Sequence, residues 1–414
     1  MLTVADFVVC CYPYVLSRGF SVMTKEQKIE ELLSRGVADV VDKENLRKAL
    51  LSKRVLRVKL GIDPTSPNLH IGRAVALWKL RAFQDLGHQV VFIVGDFTGL
   101  IGDTSDKDAE RPMLTEAEVE QNMQTYLAQA YKILDKTKTE AHFNSKWLKK
   151  LGFKEIGLMA NGFGLHEFSA RELIKKRLDA GKRVSLRELL YPLMQGYDSV
   201  AVQADVELGG SDQWFNLLAG RTIQPLYGQK PQDIMTFQLL EGTDGRKMSS
   251  SWGNVITLND APTDMFGKVM SLRDELIGRY FELATRVPLQ EVEQFMQSTP
   301  NPRDQKMRLG EELVTLYHGA AAAQQAREAF ISQFSNKELP SDIPEVKLGS
   351  GEYKLVELLV QTELVTSKAE ARRLLEQGGV RVNQEVVKTD IQITHKKNTD
   401  LLLQVGKRKF IKLV

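Results

Sequence analysis

Three polar side chains recur at helical spacing near the middle of the chain, in the stretch YPLMQGYDSV. Tyr191, Gln195 and Asp198 occupy positions i, i+4 and i+7, so on a helix they project from one face. Burying a phenol, an amide and a carboxylate together is costly unless a polar ligand satisfies them. The spacing therefore predicts a pocket for a small polar molecule, and a solvated surface helix is the alternative.

A second candidate site is the stretch SPNLHIGRAVALWKL, where an extended run changes into a helical pattern. The first turn of a helix offers unpaired N–H groups and a partial positive charge, which suit a phosphate. Gly72 would let a ring or a ribose approach the backbone, His70 could donate to a phosphate, and Arg73 adds a permanent charge. A plain helix cap with a surface histidine and arginine is the alternative.

Two more polar stretches follow. In DGRKMSSSWGN, Lys247 precedes three serines between glycines, which favours a polar loop able to close over a polyphosphate. In GGSDQ, the glycines permit close backbone approach, and Ser211 and Asp212 are candidate N-caps for the helix that follows. A solvated loop and an ordinary cap are the alternatives.

The elements that would position these residues alternate in type. Residues 55–62 and 89–96 are strand-like, and a helical pattern ending at Gly87 lies between them. Strand, helix and strand in this order predict a βαβ unit in a parallel sheet.

Longer helical patterns occupy residues 115–138 and 169–191, and another follows Ser211. Residues 262–334 look purely helical. The tail opens with a helix and ends in short β-like runs.

Composition limits the class of protein. A chain of 414 residues, 43% hydrophobic and with a net charge of +3, fits a globular protein of two to four domains. Its only cysteines, Cys10 and Cys11, favour neither a disulfide framework nor a metal site, which fits a reducing cytosol. No apolar run is long enough to span a membrane. We interpret residues 1–22 as an extension or the product of an upstream start codon, because a charged helix start follows Met23.

Together and in this order, HIGR and KMSSS resemble the HIGH and KMSKS signatures of class I aminoacyl-tRNA synthetases. The blocks GIDPTSPNLHIG, VGDFTGLIGDTS, YPLMQGYDSV and LGGSDQWFNLLAG are similar to those of bacterial tyrosyl-tRNA synthetases, so the resemblance covers nearly all of residues 55–334. It implies an α/β fold: a catalytic domain with a Rossmann-like parallel sheet, then an all-α domain and a small α+β RNA-binding module. The domains expected are an extension at 1–22, the catalytic domain with a helical insertion at 23–240, the KMSKS-type loop and helical domain at 241–335, a linker at 336–350, and the RNA-binding module at 351–414.

The resemblance also implies an activity. L-Tyrosine and ATP would form tyrosyl-adenylate and pyrophosphate, and the tyrosine would then pass to the 3′ end of tRNA(Tyr). The tyrosine-binding residues implied are Asp103, Tyr191, Gln195, Asp198 and Gln213, with Asp198 facing the phenolic hydroxyl. The ATP-binding residues implied are Gly61, Asp63, His70, Gly72, Gly210, Asp212, Lys247 and Met248. The catalytic residues implied are Thr65, His70, Arg73, Lys247 and Ser250.

Three positions depart from the family pattern. Arg73 replaces the second histidine of HIGH, and Ser250 replaces the second lysine of KMSKS. Lys59 stands where many members carry a tyrosine that also contacts the substrate phenol. Phenol recognition is therefore expected to depend more heavily on Asp198.

The tail carries the basic excess of the chain. Residues 351–414 hold 12 Lys and Arg against 8 Asp and Glu. The stretch TSKAEARRLLEQGGVRVNQEVV resembles a small RNA-binding module, with Lys368, Arg372 and Arg373 along one helix and Arg381 on the next strand. Such groups suit phosphates and single-stranded bases, and a solvated charged helix is the alternative.

Further expectations come with the resemblance: a homodimer, Mg²⁺ accompanying ATP, no tightly bound cofactor, no protein-bound metal and a cytoplasmic location. Two rival functions are also compatible with parts of the sequence. A tryptophanyl enzyme or another nucleotide-transferring member of the superfamily would have little use for Asp198. An RNA-binding protein that has lost catalysis is favoured by Arg73 and Ser250 but disfavoured by the otherwise complete polar set.

Overall fold

The computed structural model describes residues 23–103, 113–335, 343–346, 348–349, 351–395, 401–406 and 409–414. The chain divides into two compact units between Ala329 and Phe330. The proposed extension, residues 1–22, lies outside the described residues together with both cysteines.

The first unit is built around one sheet covered by helices. Its strands are β1 Val37–Val40, β2 Arg57–Ile62, β3 Gln89–Val94, β4 Thr139–Phe143, β5 Val206–Gly210 and β6 Asp233–Phe237. The helices before residue 230 are α1 Lys25–Ser34, α2 Lys43–Leu51, α3 Ile71–Asp85, α4 Thr98–Ile101, α5 Glu116–Met123, α6 Tyr126–Ala130, α7 Ser145–Leu148, α8 Phe153–Ala160, α9 Leu165–Ser169, α10 Glu172–Asp179, α11 Leu186–Val202 and α12 Trp214–Ile223.

The sheet has the order β1-β6-β5-β2-β3-β4. Strands β2 to β6 pair in parallel, as predicted, and β1 joins the edge antiparallel to β6, which was not predicted. The predicted βαβ unit is present as β2-α3-β3, and α3 ends just before Gly87, whose φ is +90°. Strands β3 and β4 lie on one side of β2, and β5 and β6 lie on the other side, so the strand order reverses between β2 and β5. In open α/β sheets a ligand crevice forms at such a reversal.

Two of the expected long helices are interrupted. Residues 115–138 form α5, α6 and a short 3₁₀ turn, and β4 follows where no strand was expected. Residues 169–191 are divided between α10 and α11, with Gly181 at a φ of +64° in the connection. A glycine at positive φ ends a helix without steric cost, which explains the break.

The purely helical stretch is confirmed. It contains α13 Pro262–Met270, α14 Ile277–Ala284, α15 Leu289–Ser298, α16 Pro302–His318 and α17 Ala320–Ser335.

The second unit is α+β, as expected. Its elements are β7 Glu345–Val346, β8 Gly351–Lys354, α18 Leu355–Gln361, α19 Lys368–Glu376, β9 Val380–Val382, β10 Glu385–Val387, β11 Gln392–His395, β12 Leu401–Val405 and β13 Lys409–Leu413. Five strands form a sheet in the order β10-β9-β12-β13-β7, and β11 pairs with β8. Leucines and valines of α18, α19 and the strands form a core of their own. β7 falls inside the stretch predicted as a linker, and the finer domain boundaries stay a prediction.

Candidate active site

A cavity of about 550 Å³ opens at the carboxyl ends of β2, β3 and β5. It lies where the strand order reverses, so the fold itself produces the crevice. All residues predicted to act on tyrosine or ATP line this cavity, and they are Gly61, Asp63, Thr65, His70, Gly72, Arg73, Asp103, Tyr191, Gln195, Asp198, Gly210, Asp212, Gln213, Lys247, Met248 and Ser250.

Asp198 is a buried carboxylate on α11, 4% exposed. Its oxygens accept hydrogen bonds from Trp147 Nε1 at 2.7 Å and from Asn144 Nδ2 at 3.2 Å. Burial raises the pKa of Asp198 to about 7, although nearby Lys59 and both donors lower it. The side chain is thus a buried acceptor facing the cavity, as the sequence predicted. Sequence reasoning missed Asn144 and Trp147, which follow the unpredicted strand β4.

Tyr191, two turns earlier on α11, donates from its hydroxyl to Asp63 Oδ2 at 2.8 Å. Thr98 Oγ1 donates to the other oxygen of Asp63 at 2.7 Å. Burial raises the pKa of Asp63 to about 6 despite these two bonds. A Cβ at Gly95 would lie 2.1 Å from Asp63 Oδ1, so this position accepts only glycine while the contact exists. The Tyr191 hydroxyl therefore donates its hydrogen bond to Asp63 and keeps a lone pair that can accept from a cavity ligand.

Asp103 and Gln213 meet across the cavity. Gln213 Nε2 donates to Asp103 Oδ2 at 2.6 Å, and Asn216 Nδ2 lies 3.4 Å from Oδ1. The structure thus brings together two residues that are 110 positions apart, and it adds Asn216, which the sequence did not single out. Helix α12 begins at Trp214 with Gln213 as its N-cap and no side-chain cap bond. The expectation that Ser211 or Asp212 caps this helix is therefore wrong.

The start of α3 is more occupied than the sequence suggested. The N–H of Ile71 donates to the carbonyl of Ile256 at 2.9 Å, and the N–H of Gly72 points at Met248 Sδ, 3.4 Å away. A thioether is a weak acceptor, so a stronger oxygen acceptor can replace it at Gly72. The prediction of several unpaired N–H groups here is wrong, because the loop after β6 already covers this turn.

His70 is the N-cap residue of α3 and makes no side-chain cap bond. Its Nδ1 is buried and has no hydrogen-bond partner among the described residues. Burial, reinforced by the charges of Arg73 and Lys247, lowers the pKa of His70 to about 3. The imidazole is therefore neutral near pH 7 and can donate one hydrogen bond into the cavity.

Arg73 ties together the turn that follows β2. It donates to Thr65 Oγ1 at 2.8 Å and to the carbonyl of Asp63 at 3.0 Å, and it also bonds the hydroxyl of Tyr126. Arg73 thus fixes the position of Thr65 on the cavity wall.

Lys247 reaches the cavity from the serine-rich loop. Its ammonium lies 2.7 Å from Asp212 Oδ2. Ser250 Oγ lies 3.1 Å from Ser66 Oγ, so the loop touches the turn that precedes α3. Asn254 fixes the base of the loop, where its amide donates to Asp244 at 2.8 Å. That bond, first among several, lowers the pKa of Asp244 to about 2.

In the second unit, Lys368, Arg372 and Arg373 lie on α19, and Arg381 lies on β9. Arg372 and Arg373 are exposed, and Lys368 pairs with Glu357 at 2.8 Å. The helix and strand placements predicted for these four residues are confirmed, and their role on RNA stays a prediction.

Within the part of the chain that the structure describes, no group of three or more His, Cys, Asp or Glu is arranged to hold a metal ion. No helix among those residues has the length and apolar character to cross a membrane.

Comparison with known proteins identifies the family. Residues 51–335 match the family described as tRNA synthetases class I (W and Y), and residues 335–413 match the Tyrosine--tRNA ligase SYY-like C-terminal domain. The chain is 47% identical over 396 residues to the tyrosine–tRNA ligase of Thermotoga maritima, which covers 94% of this chain and 98% of that protein. It is 46% identical over 386 residues to that of Shewanella oneidensis, covering 92% and 97%.

A solved tyrosyl-tRNA synthetase of Archaeoglobus fulgidus, in complex with L-tyrosine, shares the fold. Its TM-score is 0.58 at 21% identity, with 74% of this chain and all of that chain covered. The C-terminally truncated mitochondrial enzyme of Coccidioides posadasii gives a TM-score of 0.60 at 23% identity, covering 76% and 94%. The family match over most of the chain is decisive: this chain belongs to the tyrosine–tRNA ligases, class I aminoacyl-tRNA synthetases that activate tyrosine with ATP and charge tRNA.

Proposed function

We propose that the cavity at the β2–β5 reversal holds L-tyrosine and ATP side by side and joins them as tyrosyl-adenylate. The observation that carries this assignment is the convergence of all predicted tyrosine and ATP residues on one cavity. Trp147, which donates to Asp198 on the tyrosine side, follows β4, and Asp212, which pairs with Lys247 on the nucleotide side, follows β5. These two strands lie on opposite sides of the central pair β2 and β3.

The tyrosine is oriented by groups at both of its polar ends. Asp198 accepts a hydrogen bond from the phenolic hydroxyl, while Asn144 and Trp147 hold the carboxylate in place. Asp103, the hydroxyl oxygen of Tyr191 and the amide oxygen of Gln195 accept from the ammonium group. Gln213, bonded to Asp103, lies beside the reacting carboxylate.

Adenylation needs no side-chain nucleophile. A carboxylate oxygen of tyrosine attacks the α-phosphorus of ATP, the bond to the β-phosphate oxygen breaks, and pyrophosphate leaves with its charge. Catalysis then consists of positioning and of stabilising that charge. Thr65, His70 and Lys247 donate to the phosphates, and Arg73 keeps Thr65 in position.

The nucleotide takes over contacts that the protein now makes internally. Gly210 and Asp212 hold the ribose, so Lys247 exchanges Asp212 for the phosphates when ATP binds. Gly61, Asp63 and Gly72 give the nucleotide close backbone approach, and Met248 moves off the N–H of Gly72. Ser250 brings no charge, so Lys247 carries more of the leaving-group stabilisation. Mg²⁺ enters as a component of the ATP substrate.

Transfer to tRNA follows in the same cavity. A hydroxyl of the terminal ribose attacks the acyl carbon, loses its proton, and AMP leaves. The backbone of tRNA(Tyr) is bound by basic residues of the second unit, which are Lys368, Arg372, Arg373 and Arg381. Because these contacts are electrostatic, the affinity for tRNA should fall as the salt concentration rises.

A homodimer is also proposed. Most of the exposed large hydrophobic side chains of the described residues fall within residues 143–226, and they are Phe143, Phe153, Leu158, Leu165, Leu178, Leu186, Leu190 and Leu226. Concentrated exposed apolar surface is typical of a protein interface. Sedimentation equilibrium should give twice the chain mass of 46.7 kDa, and a single-chain mass would contradict the proposal. The cytoplasm is the proposed location.

Pyrophosphate exchange into ATP tests the assignment of the cavity, run separately with tyrosine, phenylalanine and tryptophan. Tyrosine should support exchange far better than either of the others. Exchange driven by tryptophan would assign the pocket to an indole, and no exchange with any amino acid would support the reading as an RNA-binding protein without catalysis.

A further inference from the structure

A fully buried ion pair lies beneath the tyrosine half of the cavity. Lys59 on β2 is 0% exposed and Glu207 on β5 is 1% exposed, and Lys59 Nζ lies 2.9 Å from Glu207 Oε1. The two residues are direct partners in the parallel register of β2 and β5. Neither lines the cavity, so the pair belongs to the layer that supports it.

Each member of the pair also holds α11. Lys59 Nζ donates to the carbonyl of Gln195 and to Ser199 Oγ, both at 2.8 Å. Glu207 accepts from Gln195 Nε2 at 3.1 Å and from Ser199 Oγ at 3.0 Å, and Gln232 Nε2 donates to it as well. These contacts fall three residues before Asp198 and one residue after it. The pair thus fixes the helix turn that presents Gln195 and Asp198 to the cavity.

Stability alone does not account for such a pair. Desolvating two charges costs several kcal/mol per ion, and replacing a buried pair by apolar residues of similar size is often neutral or stabilising. A role in the site is the physical alternative. The charged and titratable groups around Asp198 are Lys59 on β2, Glu207 on β5 and Tyr191 on α11. The Lys59 ammonium lowers the pKa of Asp198 more than the Glu207 carboxylate raises it.

We propose that Lys59 and Glu207 are a positioning pair that determines specificity for tyrosine, by holding Asp198 as an ionised acceptor for the hydroxyl of the substrate. Lys59, on the sheet strand that lies under α11, supplies the positive charge that compensates the Asp198 carboxylate. Glu207 fixes the position of the Lys59 ammonium and also accepts a hydrogen bond from the amide of Gln195. This inference rests on the proposed assignment of tyrosine to the cavity. It gives a function to Lys59, which the sequence marked only as a departure from its family.

The test uses the double variant Lys59→Met with Glu207→Gln in the full chain. Methionine keeps most of the lysine volume, and glutamine keeps the shape of the glutamate with one oxygen that still accepts from Gln232, so neither buried charge is left alone. The KM for tyrosine and for phenylalanine is measured by pyrophosphate exchange from pH 6 to 8.5, and thermal unfolding is recorded in parallel. The single variants Lys59→Met and Glu207→Gln complete the cycle where they fold.

We expect the double variant to fold and the midpoint of its tyrosine KM profile to move up by about one pH unit, which is roughly a tenfold rise in KM below the midpoint. The KM for phenylalanine should stay within about twofold, because phenylalanine has no hydroxyl for Asp198. A matched control removes the buried pair that joins α10 to α11, with Arg177→Met and Glu188→Gln, and should change unfolding without moving the pH profile.

A folded double variant with a wild-type tyrosine profile would overturn the proposal and leave the pair a purely structural role. A double variant that does not fold would also overturn it, since stability would then be the function of the pair. Failure of the underlying assignment is recognised separately, because the wild-type chain itself would then not prefer tyrosine over phenylalanine.

Discussion

Asp198 is placed in the cavity at a free-energy cost to the fold. Burial raises its pKa from an ordinary 3.8 to about 7, and the bonds from Asn144 and Trp147 offset only part of that shift. Because the folded-state pKa lies above the unfolded-state value, the folded chain holds the proton more tightly. The associated stability is complete below pH 3.8 and is lost as the pH rises toward about 7.

Asp198→Asn should therefore stabilise the protein in a pH-dependent way. The amide keeps the shape of the side chain and removes the charge, so the free energy of unfolding should gain roughly 2–3 kcal/mol more at pH 8 than at pH 5. Urea unfolding at the two pH values measures this difference. Asp264→Asn, at an exposed position on α13, serves as the control and should show no such trend. An equal gain in the free energy of unfolding at both pH values would contradict the conclusion that burial raises the pKa of Asp198.

His70→Ala tests the nucleotide side of the cavity. The neutral imidazole donates to a phosphate only as charge moves onto pyrophosphate, so its loss should slow adenylation by roughly 10²–10³ and leave the KM for tyrosine near its original value. Single-turnover adenylate formation measures the rate. His166→Ala, at an exposed position outside the cavity, should be neutral. An unchanged rate in His70→Ala would remove this residue from the catalytic set.

At the scale of single residues, the sequence predicts side chains that share one helix face and misses partners brought in from elsewhere. The spacing of Tyr191, Gln195 and Asp198 was sufficient to place them together. Asn144 and Trp147 are more than 50 positions from Asp198 and carry no periodic signal of their own. The cap predicted at Ser211 or Asp212 failed because both residues lie in a 3₁₀ turn that precedes the helix.

The start of α3 is packed so tightly that one methyl group should disturb it. A Cβ at Gly72 would lie 3.0 Å from His70 Nδ1 and 3.4 Å from Met248 Sδ. Gly72→Ala should therefore raise the KM for ATP about tenfold. The added methyl group would displace His70 and Met248, and a loss of about 1.4 kcal/mol in ATP binding corresponds to a tenfold weaker affinity. ATP titration in the exchange assay measures it.

Gly267→Ala is the matched control, because a Cβ there meets nothing within 4 Å inside α13. It should stabilise the protein by about 0.5–1 kcal/mol through helix propensity and leave the KM for ATP unchanged. Equal ATP affinity in the two variants would show that the first turn of α3 does not contact the nucleotide.

At the scale of elements, β2, α3 and β3 were predicted from the sequence, and the other four strands of the sheet were not. β3 is a continuous apolar run, and α3 has a clear helical period and a glycine stop. β1 and β4 are short and half exposed, so neither the apolar run nor the alternation that identifies a strand is present. The sequence patterns predicted two longer helices, at residues 115–138 and 169–191. In the structure, the first is divided and followed by β4, and the second is broken near Gly181.

Each of the two units of the molecule has its own core. In the second unit, α18 and α19 pack on the strands through Leu355, Leu358, Leu359, Ala371 and Leu375. Deleting residues 345–414 should therefore leave tyrosine activation within about twofold of the full chain, because the described residues that line the cavity all precede residue 251. Charging of tRNA should fall by 10² or more, since the basic residues of α19 and β9 are removed.

Exchange and aminoacylation assays on the same preparations separate the two outcomes. As a control in the full chain, Arg372→Ala with Arg373→Ala should weaken charging and reduce its salt dependence while sparing activation. A deletion that impairs activation and charging equally would contradict the separation of roles between the units.

For the whole molecule, the order of motifs predicted the fold class and the family, because each motif depends on local residue types. The division into units was less accessible. The stretch predicted as a linker contains β7, which pairs in parallel with β13 some 67 positions later, and a two-residue strand has no local signature.

The central claim is that the Asp198 carboxylate distinguishes tyrosine from phenylalanine by its hydroxyl. The most direct measurement is the ratio of kcat/KM for these two amino acids in pyrophosphate exchange, for the original chain and for Asp198→Ala. Tyrosyl-tRNA synthetases are themselves the reference case for such discrimination, at about 10⁵, and we take that figure for the original chain. The account predicts that Asp198→Ala lowers the ratio by at least about 10², through loss of tyrosine and not gain of phenylalanine. A ratio that survives the substitution would contradict it.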